Sequence, residues 1–268
     1  MLLNSVIIIL REVLEAAMLI SVLLAIGTRL NLSASWVGPG FAGGVAGAIA
    51  YALCADAVSG WFAGVGQEVV NAVFQVCIYF MLLFSTVMVT ARVTRGPSVG
   101  GRAIPVAMMV ATCLAMTREG FEVIIYLHSF MQIPQHLPAV IMGAIVGASI
   151  GICVGILFYY LLRNIPGSYM VPTATVLLML VAAGMSSQAA LLLIQADWLP
   201  SQLPLWDSSG WLPETGVTGQ VLYALVGYEA TPTAVQLGFY AGGLLIFLVL
   251  VVAAFLLGRR PDPVRSPR

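Results

Sequence analysis

The sequence predicts an all-α integral membrane protein. It has seven transmembrane helices, set out as two inverted three-helix repeats plus a C-terminal helix, with the N-terminus outside and the C-terminus inside. Three observations predict it. Hydrophobic residues make up 60% of the 268 residues and charged residues only 8%, at a mean hydropathy of +1.02, whereas a soluble domain carries about 25% charged residues. Apolar runs long enough to span a bilayer recur seven times along the chain. A charged segment, Arg-Glu-x-x-Glu, occurs twice inside those runs, at Arg11 and Arg118.

A bilayer core takes about 20 mostly apolar residues in helical form. Span one covers 2–28. It lacks a basic leader and a small-residue cleavage site and contains Arg11, Glu12 and Glu15, so it reads as a membrane helix and not as a removed signal. After Asn31-Leu32-Ser33, span two covers 36–55 and carries Gly43-x-x-x-Gly47. Span three, 69–90, stops ahead of Gly96-Pro97. Span four, 104–130, holds the second charged segment and is set off by Gln132 to Pro138. Span five, 138–162, repeats the glycine spacing at Gly143 and Gly147 and extends it to Gly151 and Gly155. Small residues at that spacing let helices approach closely. Asn164-Ile165-Pro166 precede span six, 172–195. An external loop, 196–235, leads to span seven, 236–258, and a cytoplasmic tail, 259–268. The chain is one transmembrane domain, with repeat one at 1–90 and repeat two at 103–195.

The arginines set the orientation. Arg29, Arg92, Arg95, Arg102, Arg163, Arg259, Arg260, Arg265 and Arg268 all follow odd-numbered spans. The alternate segments hold no arginine but contain Asp56, Glu68, Asp197, Asp207, Glu214 and Glu229. Basic residues stay on the cytoplasmic side, so the protein belongs in the cell membrane, the inner membrane for a bacterium, with its C-terminus cytoplasmic.

Arg11, Glu12, Glu15, Arg118, Glu119 and Glu122 remain, and all six lie within spans, about 15–25 Å into the membrane. Facing lipid unpaired they would cost about 2.5–3.5 kcal/mol each. They are therefore expected to face each other or a wet cavity. Within each segment the two glutamates share a helix face and the arginine is four residues from the second. Three spans separate the two segments, so their helices run in opposite directions, which is the arrangement of transporters with a midplane ion site between inverted repeats. Four carboxylates and two guanidinium groups leave a deficit of two positive charges. A divalent cation would balance it, and a trivalent one would need a further carboxylate, with Glu68 as the candidate, or a hydroxide. Oxygen ligands alone suit hard cations. A proton-coupled carrier of another divalent metal, manganese or lead, or of an organic cation, is the alternative.

Several classes are excluded. All 11 basic residues are arginine, so lysine-based chemistry has no amine. The net charge of zero has no basic stripe for nucleic acid. Both histidines fall at the outer edge of span four and no G-x-S-x-G elbow occurs, so the protein is read as a transporter and not an enzyme. Cys54, Cys77, Cys113 and Cys153 read as small buried apolar residues. His128 and His136 are read as interfacial residues or as ligands at the outer mouth, and Trp198, Trp206 and Trp211 as an interfacial belt.

The duplicated Arg-Glu-x-x-Glu segments, the seven-span arrangement and the stretch Leu225-Val226-Gly227-Tyr228-Glu229-Ala230-Thr231-Pro232 with Gln236 resemble the oxidase-dependent iron permeases, fungal high-affinity and bacterial ferrous-iron uptake types. The resemblance covers essentially the whole chain. It implies iron uptake across the lipid bilayer, with ferrous or ferric iron as transported substrate and no permanently bound cofactor. Glu12, Glu15, Glu119 and Glu122 carry over as iron-binding residues, and Arg11 and Arg118 as part of the same motif. It also implies a separate extracytoplasmic iron-binding or oxidase protein as partner. Glu68 and His128 are the candidate residues at the outer mouth. Where the family often carries further acids, this chain has Glu68 with Asn71, and Gln195 before Asp197.

Overall fold

The structure, a computed structural model, describes residues 1–131, 133 and 135–258. Gln132 and the tail with Arg259, Arg260, Arg265 and Arg268 lie outside the described residues. Each apolar run of the sequence is covered by one long helix: α1 (Leu2–Arg29), α2 (Val37–Leu53), α4 (Gly66–Arg95), α5 (Ala103–Met131), α6 (Leu137–Arg163), α7 (Gly167–Gln195) and α9 (Ala234–Gly258). A short helix, α3 (Ala55–Ser59), turns the chain from α2 into α4, and α8 (Val217–Val226) lies in the stretch between α7 and α9. The α3–α4 turn demands a glycine at its end, because a Cβ on Gly66 would stand 1.8 Å from the Val58 carbonyl oxygen.

The segment Ala34–Leu53, a 3-10 turn running into α2, and the helices α4, α6, α7 and α9 are long and apolar enough to cross a membrane. At 28 and 29 residues, α1 and α5 are equally long but carry the two charged segments. The sixth apolar run, 172–195 in the sequence, is extended at its start. The helix begins at Gly167, behind Pro166, and accommodates Pro172 within it.

Pairing follows the glycines. Along α6, Gly143, Gly147, Gly151 and Gly155 abut Leu2, Val6, Val13 and Ala17 of α1 in turn, so these two helices run parallel and in backbone contact. Ser21 Oγ donates to the Gly155 carbonyl at 2.7 Å. Likewise Gly40, Gly44 and Gly47 of α2 meet Thr112, Met116 and Thr117 of α5. α1 and α5 cross antiparallel, with Ser5 hydrogen-bonded to Tyr126 at one end and Glu15 paired with Arg118 further along. α4 and α7 are joined by a buried Gln75–Gln188 hydrogen bond, and the Tyr79 hydroxyl donates to the Gly243 carbonyl of α9 at 2.8 Å.

One end of the bundle therefore collects the ends of α1, α4 and α6 and the starts of α2, α5 and α7. Arg29, Arg92, Arg95, Arg102 and Arg163 are at that end, and Asp56, Glu68 and Asp197 at the other. The main core, built on Leu19, Leu23, Ile78, Leu82, Met108 and Leu178, fills the half nearer the arginines. Ile145, Ile156, Leu157, Leu245 and Val249 point outward, as helix faces toward lipid do. Cys54, Cys77 and Cys153 are also exposed, which corrects their reading as buried residues: an apolar solvent does not force a small apolar side chain inward.

Candidate metal centre

Because α1 and α5 cross at their charged segments, the two groups meet. One carboxylate oxygen each from Glu12, Glu119 and Glu122 lies within 4.8 Å of the others. Two oxygens on one cation, each at about 2.0–2.6 Å, are at most about 4–5 Å apart, so the trio has the spacing of a shared ligand set. Glu12 and Glu119 are buried, while the Glu122 side chain is 31% exposed. Glu12 Oε2 and Glu119 Oε2, both buried, meet no hydrogen-bond donor among the described residues. A buried acceptor left this way is costly unless a cation or a donor satisfies it.

Arg118 organises the trio. Its Nη1 pairs with Glu119 at 2.7 Å and with Glu15 at 3.4 Å, and its Nη2 pairs with Glu122 at 2.9 Å. A planar guanidinium can hold several carboxylates at once, which an ammonium cannot do in the same geometry. Glu15 stands apart from the trio: it bridges the two arginines, accepting from Arg11 Nε at 3.5 Å. Arg11 turns away from the trio and lies 4.1 Å from the centre of the Tyr223 ring, a cation–π contact. Glu12 therefore has no arginine partner among the described residues, and the excess negative charge falls on the trio.

The two sides of the trio differ. Toward the arginine-rich end a cavity of about 460 Å³ opens between α1, α2, α5 and α6, lined beyond Glu12 and Glu119 by residues such as Ile20, Leu24, Phe41, Met116 and Ile156. Toward the acidic end stands Tyr51. Its ring is stacked on Phe121 with centroids 3.8 Å apart, and its hydroxyl donates to Asn71 Oδ1 at 3.3 Å. Glu68, in the first turn of α4, is half-buried beyond it.

His128 does not join the trio; it is exposed, six residues or about 9 Å of helix beyond Glu122. Asp207 is exposed and caps its own turn, accepting from the Ser209 amide at 2.9 Å, and those Ser209 hydrogen bonds hold its carboxyl below the usual range. Glu214 accepts from the Ala230 amide, and burial, then repulsion from Glu214, pushes the Glu229 carboxyl up. The Trp198, Trp206 and Trp211 side chains are exposed, the first edge-on to Phe62.

Two site neighbours escaped the sequence reading. Tyr51 carried no charge to draw notice, although it lies one helical turn beyond Ala48, which faces Gly120. Tyr223 sits on α8, inside the stretch read as an external loop. That helix is ten residues long, too short to register as a span. Its Ala224 packs with Leu14 and Met18 beside the charged segment of α1. The apolar run Val221 to Val226 was the available signal.

The sequence profile described as the Iron permease FTR1 family matches residues 2–260. No curated protein and no solved structure matches the chain.

Proposed function

The chain belongs to the iron permease FTR1 family, and from that premise we propose that it imports iron through the carboxylate site between α1 and α5. The observation that carries this reading is the convergence of Glu12, Glu119 and Glu122 within 4.8 Å, with a buried, unpartnered oxygen on each of the first two. In this reading the protein spans the membrane seven times, N-terminus outside. The charges of α1 and α5 are mostly enclosed between helices, which removes the insertion cost of about 2.5–3.5 kcal/mol per ionised group that would keep them out of lipid. The gathering of Arg29, Arg92, Arg95, Arg102 and Arg163 at one end supports that end as cytoplasmic.

The inverted-repeat reading draws support from the packing. α1 lies on α6 as α5 lies on α2, and α4 meets α7, which is the pattern that a two-fold axis between the repeats would generate. Iron would arrive from the acidic end past Glu68, exchange water ligands for Glu12, Glu119 and Glu122, and leave inward as the repeats rock. Glu15 and Arg118 fix the carboxylates and limit their mutual repulsion.

The test is radioactive iron uptake into proteoliposomes. Ferrous iron under ascorbate and ferric iron as a soluble chelate are supplied to the wild type and to Glu12→Gln, Glu119→Gln and the double variant Glu15→Gln/Glu122→Gln. Loss of a metal ligand should lower uptake more than about 100-fold, beyond the range set by outer partners. Full uptake by Glu119→Gln would refute the site. Whichever iron form is preferred also decides whether a separate oxidase partner is required. Entry of manganese or an organic cation with no iron uptake would transfer the scaffold to the alternative cargo.

A further inference from the structure

We infer that Tyr51 and Asn71 form an outer staging site for the cation, supplying neutral oxygens between Glu68 and the carboxylate trio. The inference rests on the proposed iron site and adds the step that precedes it. Tyr51 and Asn71 are both buried, at 8% exposure each. The Tyr51 hydroxyl commits its proton to Asn71 Oδ1 at 3.3 Å, so its oxygen has only lone pairs left to offer. Glu68 is in the first turn of α4 and Asn71 one turn further into the bundle, so the hydrogen-bonded pair lies on the way from the mouth to the trio.

The ring is held as firmly as the hydroxyl. It stacks on Phe121 at 3.8 Å with planes 21° apart and leans on Phe74 at 5.7 Å. Phe121 stands between Glu119 and Glu122 in sequence, so the stack ties the Tyr51 ring to the helix segment that carries two of the trio. The approach of α2 that allows this depends on Gly120, whose Cβ would lie 2.9 Å from Ala48 Cβ. In the other repeat, Gly151 faces Val13 as Ala48 faces Gly120, so the matching pair is Leu14 with Val154 in an aliphatic cluster. Val154, at the position that matches Tyr51, offers no oxygen. A hard cation sheds water by exchanging it for other oxygens, and a neutral hydroxyl between two carboxylates lets it pass without being trapped.

Tyr51→Phe removes one oxygen and keeps the stack. In proteoliposomes it should lower iron uptake at subsaturating iron about tenfold, the scale of a lost oxygen contact to a charge. Equilibrium binding of manganese to the purified full-length protein, the probe for the trio, should stay within about twofold, as should the response of its unfolding to denaturant. Asn71→Asp, which places a charge on the staging site, should raise uptake at low iron. Unchanged uptake by Tyr51→Phe, or lowered uptake by Asn71→Asp with manganese binding intact, overturns the staging site alone. If the wild type binds no manganese and transports no iron, the trio reading fails and this inference with it.

Discussion

Arg118 and Arg11 hold the same place in two segments that differ only at their middle residues, yet their surroundings diverge. Arg118 is enclosed and pairs with Glu15, Glu119 and Glu122, whereas the Arg11 side chain is 42% exposed, pairs with Glu15 and lies over Tyr223. The cause is α8, which packs on α1 and supplies that ring, while among the described residues no corresponding helix lies against α5. A motif fixes which groups are available, and the elements packed around it decide what each group does. The trio is accordingly lopsided, with one carboxylate from α1 and two from α5.

The largest break in the comparison should come from removing each guanidinium. Arg118→Ala strands carboxylates that are mostly buried and should cost about 3–5 kcal/mol. Arg11→Ala loses a partly exposed pair, about 0–1 kcal/mol, and a cation–π contact of about 0.5–1 kcal/mol. Denaturant unfolding of the purified variants in one detergent measures both. Equal losses would mean that the two segments exchange roles in solution, with Arg11 entering the carboxylates as often as Arg118 does.

A second difference lies between the middle residues, Val13-Leu14 against Gly120-Phe121. In the α1–α6 pair the bulk is on the motif helix and the glycine on its partner, because a Cβ on Gly151 would stand 2.9 Å from Val13 Cγ1. In the α5–α2 pair the glycine is on the motif helix, at Gly120 against Ala48. Both crossings are equally close by opposite means. Gly151→Ala and Gly120→Ala should each destabilise by about 1–3 kcal/mol through overpacking. Val13→Ala should recover part of the first loss and Ala48→Gly part of the second. The crossed combinations should recover nothing, since distant sites add. Recovery in a crossed pair would disprove the assignment of which helix faces which.

These contrasts also mark how far the sequence could be read. The long helices were legible because about 20 apolar residues in a row have few alternatives in lipid. The meeting of the two charged segments was legible because six ionisable groups at depth must find one another. Which carboxylates form the trio was not: Glu12 and Glu15 are equivalent by spacing, and the rotation of α1 against α5 is what puts Glu12 in the trio and Glu15 between the arginines. α8 was hidden by its length and by the prolines and acids around it. The outward-facing cysteines were misread because burial rules learned in water do not hold in lipid.

The smallest expected effect concerns the α8–α9 connection, whose Gly227 packs on Gly184 of α7. Glu229 is partly buried there beside Glu214, with Gln236 and Arg11 as the favourable neighbours, and its carboxyl is pushed up because burial and Glu214 outweigh them. An unfolded glutamate titrates near about 4.3. A folded value above that means the protonated form is favoured on folding, so this contribution is fully present below about pH 4.3 and is lost as pH rises through the folded value. Glu229→Gln removes the titration. The variant should match the wild type in unfolding temperature at acidic pH and exceed it by a few degrees at most at neutral pH, about 2–4 °C per kcal/mol for a chain of this size. Destabilisation at neutral pH would instead mean that the attraction between Glu229 and Arg11 outweighs burial. The α8 connection would then be tied to the motif by charge as well as by the Tyr223 ring, and Arg11→Ala should weaken the same connection.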